Sequence, residues 1–212
     1  MRIVRLINAI LILATAEGCV MSKIEEPKYE VVRDYGEFEL RRYHPTIVAE
    51  TVVDGEFGSS SSVGFRRLAN YIFGGNKSKV KMEMTVPVTS SPDGSSSEKI
   101  SMTAPVSQVA SGADKWIISF TMPSEYTMAT LPEPLDPAVQ LREVPGATYA
   151  ALRFSGFNSA AQVEEKAASL RTLAAQEKIR LKDRVVYARY NPPWTLWFLR
   201  RNEILIETKS EP

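Results

Sequence analysis

Histidine occurs once in this sequence, at His44, and cysteine once, at Cys19. Ser-His-Asp and Cys-His arrangements would both have to be built on His44. No group of His, Cys and carboxylate residues has the spacing of a metal site. The Gly and Ser residues of GSSSSVG (58–64) match neither G-x-x-x-x-G-K-[ST] nor G-x-G-x-x-G, so helix capping explains them better than phosphate binding. Acidic residues are scattered over polar positions, where solvation accounts for them.

Two softer features remain. The phrase K-x-x-M-T-x-P-V-[TS] occurs twice, from Lys81 and again from Lys99. Met82 and Met84 in the first copy, and Met102 in the second, fall on the apolar phase of a period-2 pattern. They read as lining a core or a groove wall, because thioethers fill irregular apolar surfaces. The prolines suggest that each strand stops regular pairing there, at an edge or a bulge. The other feature is YNPPWTLWFLRRNE (190–203), which concentrates Trp194, Trp197 and Phe198 with Arg200 and Arg201. Such a loop packs on a core or walls a flat apolar ligand.

These residues need elements to position them. EFELRR (37–42) and TIVAETVV (46–53) have the alternation and β-branched content of strands, after an opening strand from Tyr29. Phe65, Leu68, Ala69 and Ile72 repeat at helical spacing, with Ser59 to Ser62 as N-cap candidates and Gly74-Gly75 as a stop. Period-2 runs at Val80–Val88 and Ile100–Val106 flank Pro92-Asp93-Gly94, which predicts a hairpin. A strand at 115–122 and a Pro-rich loop at 123–137 follow. The order then repeats: strands at 139–144 and 147–154, a helix capped by Asn158 or Ser159 and running to about Lys178, and strands at 184–190 and 203–207. The fold class is therefore α+β: a β-β-α-β-β duplication, with an antiparallel or mixed sheet under two helices.

The first nineteen residues differ from the rest. Arg2 and Arg5 precede an apolar run, Leu6 to Ala16, and Gly18-Cys19 follows. That is the layout of a secretory signal (1–18), and a lone cysteine at the cut resembles a bacterial lipoprotein site. Residues 19–28 would form a tether to a single domain at 29–208. The expected location is the periplasmic side of the bacterial envelope, with Cys19 as lipid attachment. The 26 basic and 25 acidic residues fall to equal numbers once Arg2, Arg5 and Glu17 are removed, which argues against a nucleic-acid partner.

An ordered set of short stretches resembles the SOUL haem-binding protein family. The set comprises Tyr29 to Arg33, Ala69 to Ile72 with Gly74-Gly75, Met84 to Val88, Ile118 to Glu125, Ser155-Gly156-Phe157, Tyr190-Asn191 and Arg201-Asn202-Glu203. It spans roughly 28–208. The resemblance implies a pseudo-twofold distorted β-barrel flanked by two helices, and reversible, non-enzymatic binding of haem or another tetrapyrrole in a shallow apolar groove near the first helix. Matched positions there are Phe65 and Arg67, with Arg66 and Leu68 beside them; arginines at such a groove could pair with haem propionates. His44, in the turn RRYHP, reads first as structural and second as an axial ligand to haem iron. Two other functions stay open: an envelope interaction module whose groove is closed by its own side chains, and a small-molecule sensor domain. Oligomeric state is not readable.

Overall fold

A computed structural model describes residues 24–78, 97–157 and 159–209. Cys19, Met82 and Met84, with the first copy of the repeated phrase, lie outside these residues. The opening strands form as their alternation predicts: β1 (Tyr29–Asp34), β2 (Glu39–Tyr43) and β3 (Thr46–Asp54). Helix α1 (Phe57–Ile72) and the two-residue β4 (Asn76–Lys77) follow. Then come β5 (Val106–Gly112), β6 (Lys115–Thr121) and the short β7 (Glu133–Pro134), which pairs with β4. The second half holds β8 (Gln140–Val144), β9 (Ala147–Phe154), α2 (Ala160–Gln176), β10 (Leu181–Arg189), a 3-10 turn at Trp197–Leu199, and β11 (Asn202–Thr208).

Nine strands form one curled sheet in the order β1-β2-β9-β11-β10-β5-β6-β3-β8, and every pairing of named strands is antiparallel. This is the expected α+β class, and the curled sheet forms a half-barrel consistent with the distorted barrel flanked by two helices. The order from β2 to β8 is palindromic: β9, β11 and β10 mirror β3, β6 and β5 across the β10–β5 pair. Strand β2 pairs with β9 of the other half, and β8 pairs with β3, so each half lends a strand to its partner.

Both helices lie on one face. Helix α1 packs on β3 and β6, and α2 packs on β9, β10 and β11. Between α1 and the sheet, Leu68, Tyr71 and Ile72 of the helix meet Ile118 and Phe120 of β6, all at most 1% exposed. Gly64 allows this contact, since a Cβ there would come within 2.7 Å of Ile118 Cβ. Leu170 and Ala174 of α2 share a buried cluster with Tyr187 of β10 and Ile204 of β11. A third cluster of Ala151, Ala188 and Leu205, with Tyr43, Tyr149 and Tyr190, belongs to the opposite face.

Three local expectations are corrected. The serines do not cap α1. It begins at Phe57, and Ser59, Ser60 and Ser62 instead donate to the carbonyls of Glu56, Phe57 and Gly58. Burial of Phe57 against Trp116 and Tyr187 sets the earlier start. The stop is as expected, with Gly74 at φ +117°, and Ser159 caps α2 by accepting from the Gln162 N–H. Secondly, Ile100–Pro105 is not a strand, and only an isolated bridge joins Thr103 to Glu25. Thr103 does not face solvent: it is 5% exposed and its hydroxyl donates to the Thr121 carbonyl. Thirdly, the regular strand starts at Val106, after Pro105, which has no N–H to give to a ladder.

Candidate functional site

Directly paired residues of antiparallel strands share a face. On the helix face, one row runs Phe154, Asn202, Arg189, Val106, Phe120, Ala49 across β9, β11, β10, β5, β6 and β3. The next row runs Leu152, Ile204, Tyr187, Gln108, Ile118, Thr51. Tyr187 and Gln108 are each 1% exposed beneath the start of α1. Val106 and Arg189 are only half-buried, so the first row opens to solvent between α1 and the loop 190–201.

Arg189 has no hydrogen-bond or ion-pair partner among the described residues. Its Nε is buried and unpartnered, and its guanidinium lies 5.6 Å from the centroid of the Tyr187 ring. Burial pulls its pKa below the ordinary arginine value, opposed by Tyr187. Next to it, the Gln108 amide donates to the Phe57 carbonyl at 2.9 Å, while its Oε1 has no partner. Buried polar groups are ordinarily satisfied. A half-buried cation without a counter-ion is a ready acceptor for an anionic group.

Aromatic side chains stand on both sides of it. On the β6 side, Phe65 of α1 meets Phe120 edge-to-face at 5.4 Å and is 37% exposed. Phe120 lies two strand spacings from Arg189, about 10 Å. On the β11 side, Asn202 accepts from the Tyr187 hydroxyl at 2.9 Å and donates to the Gly156 carbonyl at 3.5 Å. Gly156 N–H in turn donates to the Trp197 carbonyl at 3.0 Å, which fixes the aromatic loop above this end of the row. Trp197 stacks on Phe157 at 5.6 Å. The arrangement is a sheet surface that carries Arg189 between two aromatic rims.

A concavity of about 570 Å³ lies beside the β2–β3 and β8–β9 turns. Its lining includes His44, Ile47, Met122, Tyr126, Val144 and Pro145, with Lys28 and the carboxylates Glu25, Glu26 and Glu143. His44 is exposed, with Nε2 4.0 Å from Glu30 Oε1. Near this face runs a buried charge network. Arg41 and Arg201 donate to the Glu203 carboxylate at 2.8 and 3.0 Å, Tyr190 donates to it at 2.8 Å, and Arg201 also holds Glu26. Burial alone would raise the Glu203 pKa, but these donors and charges hold it below the ordinary value.

The sequence-derived residues thus divide. Phe65 and Trp197 border the Arg189 row. Arg66, next to Phe65 on α1, is exposed. Arg67 is engaged by Thr51 at 2.9 Å and Asp136 at 3.2 Å. Leu68 is fully buried, and Met102 packs against the α1 core alongside Val106. Trp194 is 82% exposed at the loop tip. His44 sits in the other concavity. Sequence reasoning missed Arg189 and Tyr187. The available signal was phase: Val185, Tyr187 and Arg189 share one face of β10, which puts an arginine where an apolar residue is expected.

Comparison with known proteins bears on this arrangement. The family model for "SOUL heme-binding protein" matches residues 24–96 and 91–207. Heme-binding protein 2 of Homo sapiens is 29% identical over 203 residues, covering 93% of this chain and 92% of that protein. Among solved structures, a hydrolase from Listeria innocua superposes with a TM-score of 0.56 at 12% identity, over 82% of this chain and 92% of that one. The EcmrR C-terminal domain gives 0.56 at 9% identity, over 86% and 99%. At such identities the two structures show shared fold and nothing more. The family match covers nearly all the described residues, and this chain belongs to the SOUL heme-binding protein family.

Proposed function

We propose that this chain binds haem or a related tetrapyrrole in the groove between α1 and the aromatic loop, and buffers or carries it without chemical turnover. The observation that carries the reading is Arg189, a half-buried guanidinium with no partner among the described residues, on a sheet surface bordered by Phe65 and Trp197. A tetrapyrrole brings a flat apolar ring and carboxylates, which suit aromatic rims and one cation. Membership of the family and the name of the human relative point the same way. The concavity beside His44 has ample volume for such a ligand, yet Glu25 and Glu143 outweigh Lys28 there and oppose a dianion. The row contains no histidine, so ring faces and carboxylates would hold the ligand there rather than an axial imidazole.

The test is a titration of haemin, and separately of iron-free protoporphyrin, into the full chain, followed by the Soret band and tryptophan fluorescence. Saturable binding of both at micromolar ligand is expected, with Trp197 quenched and His44→Ala unchanged. No saturable change with either ligand would end the reading. Loss of haemin binding in His44→Ala would move the site to the other concavity.

We also propose attachment at the periplasmic side of a bacterial membrane through Cys19, with residues 20–28 as tether. Support comes from the order Arg2, Arg5, Leu6 to Ala16, Gly18-Cys19 in the sequence. Mass spectrometry of the mature N-terminus checks it, and an unmodified Cys19 would remove it.

A further inference from the structure

We propose that the tip of the aromatic loop is a second, direct contact with a lipid surface. Trp194, Leu196, Phe198 and Leu199 are 82%, 58%, 52% and 63% exposed, and Phe157 beside them is 65% exposed. Single exposed apolar residues are ordinary, but a contiguous group of this size marks an interaction surface. Trp at such a tip suits the water–lipid boundary, where one end of the indole is apolar and the other wet.

The backbone distinguishes this loop from a merely sticky one. Polar main-chain groups entering lipid must be satisfied internally. Here Thr195 N–H donates to Pro192 O at 3.1 Å, Leu199 N–H to Leu196 O at 2.9 Å and Arg200 N–H to Trp197 O at 3.3 Å. Pro192 and Pro193 have no N–H to satisfy. The Arg200 guanidinium folds back on the Thr195 and Pro193 carbonyls at 2.8 and 2.6 Å. These bonds satisfy part of the loop's main chain internally, while its apolar side chains stay exposed.

Its position fits the same surface. Arg201, at the base of the loop, binds Glu26 at 2.9 Å. Glu26 is seven residues from Cys19, so a group on Cys19 lies at most about 25 Å along the chain from this base. The described chain begins at Ile24, two residues before Glu26, and so starts beside the base of the loop. The occupant is a bilayer rather than a second copy, because a lipid attached at Cys19, as proposed above, would hold this base within about 25 Å of one; the inference rests on that attachment. Since Arg200 and Arg201 are already engaged by protein carbonyls and carboxylates, contact rests on apolar insertion rather than on anionic headgroups. A lipid contact here is independent of the tetrapyrrole reading.

The experiment mixes the full chain with phosphatidylcholine vesicles whose acyl chains are brominated, and reads tryptophan fluorescence of the vesicle-bound protein. Expected are a blue shift, quenching unaffected by molar salt, and loss of at least half of that quenching in Trp194→Phe, with the circular dichroism spectrum unchanged. Three results would overturn the proposal: no quenching in bound wild-type protein, which leaves the N-terminus as sole attachment; quenching that Trp194→Phe leaves intact; or a concentration-dependent blue shift without vesicles, accompanied by dimerisation, which assigns the loop to a second copy. Retained haemin titration in Trp194→Phe separates this outcome from that of the groove.

Discussion

Replacing Arg189 by Leu should move stability and ligand binding in opposite directions. In the free protein the substitution removes a buried, unpartnered Nε, and such a group costs about 1–3 kcal/mol. It also removes the contact of the guanidinium with the Tyr187 ring, worth about 0.5–1 kcal/mol at a partly exposed site. The rest of the guanidinium reaches solvent, so the lower part of the first range applies. The net expectation is a gain of up to about 1 kcal/mol, measured as a raised urea midpoint with an unchanged slope. Bound to a tetrapyrrole carboxylate, the same guanidinium would contribute a charge-assisted hydrogen bond of about 1.5–3 kcal/mol. Arg189→Leu should therefore weaken protoporphyrin binding by about 10- to 100-fold. Protoporphyrin dimethyl ester completes the cycle: it should bind wild-type protein as weakly as the free acid binds the variant, with no further loss when both changes are combined. Undiminished binding of the free acid by Arg189→Leu would refute the assignment. A variant destabilised by more than about 1 kcal/mol would refute the premise that Arg189 is strained by lack of a partner.

Other expectations follow from the packing and the charge network. Gly64→Ala places a Cβ 2.7 Å from Ile118 Cβ, so an overpacking cost of about 1–3 kcal/mol should exceed the gain of about 1 kcal/mol in helix propensity, lowering the thermal midpoint. Glu203→Gln leaves Arg41 and Arg201 without their buried carboxylate and should cost about 3–5 kcal/mol in urea unfolding. The folded Glu203 pKa is depressed, so its contribution is present above the pKa of the unfolded carboxylate and is lost as pH falls through the folded value. Glu203→Gln should accordingly flatten the acid limb of the stability–pH curve, and an unchanged limb would remove Glu203 as its source.

Much of this architecture was legible in the sequence, because periodicity reports which face is buried. The alternation in 46–53, the second helix capped at Ser159, and the repeated element order all have their counterparts in β3, α2 and the palindromic sheet. Strand β5 was misplaced because SQVASG is polar and glycine-ended; its partners β10 and β6, distant in sequence, make it a strand. The α1 serines misled because Ser suits a cap and also tolerates an early turn when an apolar residue such as Phe57 is buried ahead of it. The site was legible only on its rims. Phe65 and Trp197 are conspicuous by type, whereas a single arginine ending a strand reads as a solvated end until the register shows what surrounds it.

The exchange of β2 and β8 also governs how the molecule comes apart. Neither half contains its own complete sheet: taken alone, residues 24–137 would leave β2 without its β9 neighbour and β3 without β8. Two fragments cut at the Pro-rich connection should each be disordered alone and should recover the fold on mixing. The duplicated halves are thus related as the subunits of a strand-swapped dimer fused into one chain, and the β10–β5 pair beside the groove is their subunit seam. A ligand seated over Val106 and Arg189 would span that seam and so resist its opening.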